Sequence, residues 1–288
     1  MPSAALSRDW SVTVFHRGRT GAAPPDAVTL VGDRTVAADL DALARGSWDV
    51  VVDTWDGPPR AVLDSARLLA GLAGHYVYVS SRSVYRPLVA GLLEDGPVEP
   101  ATPDAIDGSY GTLKAGGELA ARMGFGDDRV LVARTGLVLG PHEDVGRLAW
   151  WLRRMADGGD VMAPGPPDLP LQYVDARDLA AWLLDMAATG GVGTFNALSR
   201  PGHTTVAELL DCCRRATGGR ARLCWTEPAD VLAAGLRPWS DVPIWVPPDH
   251  PLRPLHQTDT DKAYRAGLRC RPIAATVEDA WAWLRTVT

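Results

Sequence analysis

Two stretches decide how this chain folds: Val77-Tyr78-Val79-Ser80-Ser81-Arg82-Ser83-Val84-Tyr85 and Tyr110-Gly111-Thr112-Leu113-Lys114. The first is a short apolar run that ends in hydroxyls, which reads as a buried strand delivering serines at its end. In the second, a tyrosine stands four residues before a lysine, and that spacing puts both on one face of a helix. A phenol beside an ammonium, with a serine at the end of a nearby strand, is a set that can move a proton. The lysine is unusual within its own chain. Of 29 basic residues only Lys114 and Lys262 are lysine. Where this sequence needs a positive charge it uses arginine, so a lysine one turn after a tyrosine asks for an amine whose proton can move, which a guanidinium cannot supply.

The 288 residues suffice for one large domain or two closely joined ones. Hydrophobic content of 46% and charged content of 22% are those of a globular protein. The net charge of −6 and pI near 5.5 give no basic footprint for nucleic acid. No apolar run approaches the roughly 20 residues of a membrane span, and the N-terminus lacks the layout of a secretion signal. The four cysteines, Cys212, Cys213, Cys224 and Cys270, show no metal-ligand spacing, so reduced, buried thiols are expected. A cytoplasmic protein acting on a small molecule, with no nucleic acid, membrane or metal partner, is the expectation. The oligomeric state stays open, a homodimer included.

Along the chain, residues 11–15, 28–31, 49–53, 75–80 and 129–135 read as strands, and 36–44, 60–72 and 109–123 as helices. Residues 86–107 form a long Pro/Asp/Gly-rich loop, and loops of that length are often functional. Strands apolar on both faces that alternate with helices indicate a parallel sheet covered on both sides. Beyond Gly140-Pro141 the rhythm loosens. Residues 145–157 read as a helix, and 158–170, with four of the 23 prolines, as a loop. A helix follows over 176–188, a strand over 192–196, a Thr-capped helix over 204–217, a strand over 221–225 and a last helix over about 276–285. The Pro- and Trp-rich segment 237–256 suggests a lid over a pocket.

These residues together resemble the extended short-chain dehydrogenase/reductases, in their NAD-dependent epimerase/dehydratase branch. Carrying the resemblance are Tyr110 and Lys114, Ser81 within Ser80–Tyr85, Arg134-Thr135-Gly136 before Gly140-Pro141, and Gln172-Tyr173-Val174-Asp175-Ala176-Arg177-Asp178. It covers nearly the whole length. It implies an α/β fold, a Rossmann-like doubly wound parallel sheet with a smaller C-terminal substrate or lid region. The dinucleotide-binding part would be 1–141 plus about 172–199, and the substrate region about 142–171 plus 200–288. It makes Ser81, Tyr110 and Lys114 the catalytic set. Arg17, Arg19, Asp33, Arg34 and Thr54 join Tyr110 and Lys114 as cofactor-binding residues. The cofactor is NADP or NAD. With Arg17 and Arg19 at the strand end nearest the adenine ribose and no acid there, NADP is slightly favoured, because an arginine can take the 2′-phosphate.

The chain departs from the pattern at its front. The family opens with a strand and a Gly-x-x-Gly-x-x-Gly turn that lays backbone N–H groups against the pyrophosphate; residues 4–15 instead look like the end of the first helix followed by the second strand. Either the strand and its loop lie before Met1, or the chain is truncated, with a repaired sheet and weak or no dinucleotide binding. A missing central strand would leave a gap of roughly 10 Å between its neighbours. Gly190-Gly191-Val192-Gly193 precedes a strand and cannot replace the loop.

The reading implied is an NAD(P)-dependent oxidoreductase or epimerase acting on a hydroxyl or carbonyl carbon of a small or sugar-like substrate. Sugar 4,6-dehydratases of the family carry an acidic pair directly after the hydroxyl residue. Here Arg82 and Ser83 stand there, which argues against dehydration. A catalytically silent ligand-binding or regulatory relative is the alternative. An RNA-binding role, as in similar chloroplast stem-loop-binding proteins, conflicts with the acidic charge.

Overall fold

The structure is a computed structural model and describes residues 1–19 and 21–287. In chain order its elements are α1 (Pro2–Leu6), β1 (Thr13–His16), β2 (Val28–Val31), α2 (Ala37–Leu40), β3 (Trp48–Asp53), α3 (Pro59–Leu69), β4 (Ala73–Ser81), α4 (Tyr110–Phe125), β5 (Val130–Thr135), β6 (Leu137–Leu139) and α5 (Arg147–Asp157). There follow β7 (Gly159–Pro164), β8 (Pro170–Leu171), β9 (Tyr173–Asp175), α6 (Ala176–Ala188), β10 (Gly193–Asn196), β11 (Thr204–Thr205), α7 (Val206–Ala216), β12 (Ala221–Thr226), α8 (Pro228–Ala233), α9 (Asp261–Arg265) and α10 (Ile273–Val287). They divide into two units. The first is Met1–Pro87, Glu94–Thr135 and Leu179–Ala197; the second is Leu88–Leu93, Gly136–Asp178 and the chain from Leu198. Residues 88–93, 136–141, 172–178 and 198–199, expected with the first part, cluster with the second unit.

The first unit is built on a parallel sheet in the order β10-β5-β4-β3. Every residue of β5 is buried, as a strand covered on both faces requires. Over one face, Val62, Leu63, Ala66 and Leu69 of α3 and Ala120, Ala121 and Phe125 of α4 pack on Tyr76, Tyr78, Val130 and Val132. Close approach of α4 to the sheet depends on small residues. A Cβ at Gly117 would stand 2.1 Å from the Tyr78 hydroxyl, so any other residue there would push helix and strand apart.

β1 and β2 form their own two-stranded parallel ladder, registered from Thr13↔Val28 to His16↔Val31. Among the described residues neither joins the four-stranded sheet: β1 pairs with β2, and β3 with β4. The sheet of this fold is therefore split between β1 and β3, the place where the expected first strand would lie. Among the described residues only α1 precedes β1. What reaches across is a side chain. Arg34, three residues beyond β2, donates to both oxygens of Asp53, the last residue of β3, at 2.5 and 2.7 Å.

In the second unit α5, α7 and α10 contribute Trp151, Leu152, Leu209, Cys213, Val277 and Leu284 to one apolar core. The expected loop over 158–170 is corrected here. Its first half is the strand β7, parallel to β12 from Gly159↔Ala221 to Pro164↔Thr226. Proline and glycine density hid it, but β7 is an edge strand of a two-stranded ladder, where a missing N–H is tolerated. The segment read as a lid is partly core: Val242, Ile244 and Trp245 are buried in it, and the Trp245 indole donates to the Gly165 carbonyl at 2.9 Å. α7 opens on Thr205 with a full capping box, its hydroxyl accepting from the Glu208 N–H while Glu208 accepts from the Thr205 N–H. All four cysteines are free thiols; Cys212 and Cys213 are buried as expected, whereas Cys224 and Cys270 are only partly so.

Candidate functional site

β4 ends in two serines that part company at once. Ser80 turns to helix α4 and donates to Glu118 Oε1 at 2.5 Å. The Ser81 hydroxyl accepts from the Ser83 N–H at 3.1 Å and so caps the 3₁₀ turn Arg82–Val84. That contact uses the oxygen as acceptor and leaves the Ser81 proton to be donated elsewhere. The start of α4 rests on this turn. A Cβ at Gly111 would lie 2.4 Å from the Ser83 carbonyl oxygen, so glycine is what lets the first helical turn settle there. Tyr110, the first residue of α4, is thereby brought beside the Ser81 turn with its side chain half exposed, at 50%.

One turn on, Lys114 is buried, at 3% exposure. Its Nζ donates to the Trp55 carbonyl at 2.6 Å and to the Val79 carbonyl at 2.7 Å, and it lies 4.9 Å from the Tyr78 ring centroid. Burial disfavours the charged form and pulls its pKa down to about 8, against the pull of Asp53, Asp56 and Glu118. Ser81, Tyr110 and Lys114 thus gather where the ends of β3 and β4 meet the first turn of α4.

The residues expected at the cofactor fall into separate places. Arg17 and Arg19 are exposed in the turn after β1. Asp33, just beyond β2, accepts from the Thr35 N–H at 3.0 Å and the Thr35 hydroxyl at 2.7 Å. Those two bonds, with a smaller contribution from the charges of Arg17 and Arg19, hold its carboxyl below the usual range. Asp33 is therefore a local turn cap whose neighbouring field comes from the two arginines. Arg34 is placed differently from the expectation of a cofactor contact. Its guanidinium is committed inward, to Asp53, to Ser65 Oγ at 2.5 Å and, through its charge, to the Trp55 ring at 5.1 Å. Thr54 is exposed directly after β3, next to the residue whose carbonyl holds Lys114.

Two buried networks surround the site that sequence reasoning missed. In one, Glu118 binds Arg134 through two bonds, 2.9 Å to Nε and 2.7 Å to Nη2; Arg134 stacks at 4.7 Å over Tyr85, which donates to Asn196 at 2.7 Å. A signal was present: Tyr110, Lys114 and Glu118 recur every fourth residue, so one helix face carries all three. In the other, Asp53 takes Arg34 and a 2.5 Å bond from the Tyr76 hydroxyl. Burial alone would raise the Asp53 carboxyl, but Arg34 and Tyr76 outweigh it and hold it low. No spacing rule links residues 34, 53 and 76. In the second unit Asp175, whose bonds come from Arg177 and Thr276, is the helix-start cap of a structural cluster.

Neither a protein-family model nor a curated protein matches the sequence. Solved structures do. WbmH of Bordetella bronchiseptica, in complex with NAD+, aligns at a TM-score of 0.71 and 18% identity over 98% of this chain and 93% of its own. UDP-N-acetylglucosamine 4-epimerase of Bacillus cereus aligns at 0.67 and 16% over 98% and 93%. RMD of Pseudomonas aeruginosa, complexed with NADPH, aligns at 0.64 and 16% over 96% and 100%. At these identities the likeness establishes architecture: the chain shares the Rossmann-like α/β fold of these solved structures.

Proposed function

We propose that the chain is an NAD(P)-dependent oxidoreductase or epimerase working on a hydroxyl- or carbonyl-bearing carbon of a small or sugar-like substrate, through Ser81, Tyr110 and Lys114. The observation that carries this reading is the Lys114 amine, buried on two carbonyls and one helical turn from a half-exposed phenol. With a pKa of about 8 it remains charged at neutral pH. A fixed positive charge one turn away suits a phenol to work as the acid/base of such a reaction. Tyr110 takes the proton of the substrate hydroxyl in one direction and returns it to the carbonyl oxygen in the other. Ser81 donates to that oxygen and orients it. A nicotinamide dinucleotide, when bound, supplies or accepts the hydride.

The residues fit the two ends of such a cofactor. Lys114, Tyr110 and Thr54 would hold the nicotinamide ribose end, and Arg17 and Arg19 would take a 2′-phosphate, which favours NADP. For the pyrophosphate, no Gly-x-x-Gly-x-x-Gly turn is present. Structural neighbours that are sugar-nucleotide epimerases support the sugar-like substrate, and Arg82 and Ser83 after Ser81 speak against 4,6-dehydration. The commitment of Arg34 to Asp53, away from a cofactor, favours the second reading, a ligand-binding relative without redox chemistry.

Titration with NADPH and NADH, followed by tryptophan fluorescence, separates the two. The proposal expects saturable binding, tighter for NADPH. A flat response up to millimolar cofactor rejects it in favour of the binding protein. Given binding, Tyr110→Phe should abolish turnover and leave the cofactor affinity unchanged; retained turnover refutes the role of Tyr110.

A further inference from the structure

Arg82 follows Ser81 directly and opens the turn on which α4 rests. Its side chain is 2% exposed, yet among the described residues it makes no ion pair and no side-chain hydrogen bond, and its Nη1 is covered without a partner. The other arginines enclosed in this unit are treated otherwise. Arg134 has both oxygens of Glu118 and Arg34 both oxygens of Asp53. Even Arg253, buried in the second unit without a carboxylate, donates to the carbonyls of Val246 and Pro170. A guanidinium taken out of water without a counter-charge is costly to the fold. It does not escape by shedding its proton, since burial draws it down only to about 9. A cost of this kind, held in place by a surrounding structure, is characteristic of groups whose partner arrives with a ligand.

The surroundings say what that ligand brings. Ser81 and Ser83 flank Arg82, and Gly111 seats Tyr110 against the same turn. Arg82 therefore belongs to the turn that carries the proposed acid/base chemistry. A guanidinium presents its N–H groups as a planar fork matched to two oxygens of a carboxylate or phosphoryl group. A neutral sugar would leave the charge unbalanced.

We propose that Arg82 is the anion-binding residue of the substrate site, and that the substrate carries a carboxylate or phosphoryl group close to the carbon that Ser81 and Tyr110 handle. The assignment rests on the reading of Ser81 and Tyr110 as the reaction site. It adds a requirement that the three proposed catalytic residues do not impose, a negative charge on the substrate.

The test is calorimetric titration of the full chain, without nicotinamide cofactor, with D-glucuronate, α-D-glucose 1-phosphate and neutral D-glucose. Wild type, Arg82→Met and Arg82→Lys are compared. One of the two anions should bind wild type while D-glucose does not. Arg82→Met should weaken that anion by about tenfold or more, and Arg82→Lys should keep part of the affinity. Whichever anion shows the dependence names the source of the charge. Binding of neither anion at millimolar concentration, or equal affinity for wild type and Arg82→Met, overturns the proposal. Melting without ligand gives a second readout. Removing an uncompensated buried charge should leave the melting temperature of Arg82→Met unchanged or higher, and a clear fall would make Arg82 a structural residue and overturn the assignment. Failure here alongside saturable NADPH binding leaves the proposed reaction standing. The reverse outcome leaves an anion-binding protein without it.

Discussion

β2 and β5 are both short parallel strands rich in valine, and they have opposite fates. Every residue of β5 is buried, whereas Val28 and Val31 of β2 are 60% and 70% exposed. The difference does not lie in the residues. Among the described residues β5 has a hydrogen-bonded strand on each side, β4 and β10, while β2 has β1 alone. Two strands alone bury too little to be stable by themselves. The β1–β2 ladder therefore depends on what fastens it, and Arg34 is one such fastening, reaching Asp53, Ser65 and the Ala61 carbonyl. Burial belongs to the layering of a sheet, and a strand of β-branched residues acquires it only from neighbours.

Four changes would break or sharpen this contrast. Glu118→Ala strikes the well-covered half. It leaves Arg134 and Ser80 buried without their acceptor, and urea denaturation should show a loss of about 3–5 kcal/mol; a loss below about 1 kcal/mol would mean the network does not hold the helix to the sheet. Arg34→Met strikes the fastening and leaves Asp53 buried without its cation, at a cost of about 3 kcal/mol. Hydrogen exchange should then speed up over residues 28–36 while the amides of β4 stay protected. Uniform acceleration across the unit would contradict a local tie.

The third change concerns pH. Lys114 has a folded pKa of about 8 against an ordinary 10.5. Between those values the unfolded chain still binds the proton and the folded chain does not, so stability rises with pH across that window. Below about 8 both states are charged and the burial penalty stands in full. Relative to Lys114→Met, wild type should therefore gain roughly 2–3 kcal/mol from pH 8 to 10.5. Parallel stability curves for the two proteins over that range would show that the amine is not held as described. The smallest effect belongs to the exposed ladder. Val31→Thr should move stability by no more than about 0.5 kcal/mol, and a larger drop in a melting scan would mean that β2 is covered in solution.

What could be read from the sequence followed from periodicity and short spacing. The strands over 49–53, 75–80 and 129–135, the helix of Tyr110 and Lys114, and the two-sided cover of the sheet all come from patterns a few residues long. The split between β1 and β3 was legible too, because the glycine turn expected at the front is a compact motif. What escaped depends on long-range pairing. β7 was masked because Gly159 and Pro164 look like loop chemistry, and only β12, some sixty residues away, makes the segment a strand. The resemblance puts Arg34 at the cofactor; its bond to Asp53 across the split has no local signature. The same holds for Arg82. Its position after Ser81 was visible, but its burial without a partner could be seen only once the chain was folded.

The scarcity of lysine, read first as a hint about chemistry, has a practical consequence. Lys114 is enclosed, while Lys262 is exposed at the start of α9. Apart from the α-amino group, an amine-reactive dye or surface linker therefore meets a single accessible side chain, on the second unit. That gives a ready-made handle for tethering the protein at one point, with the Ser81–Tyr110 turn left untouched by the coupling chemistry.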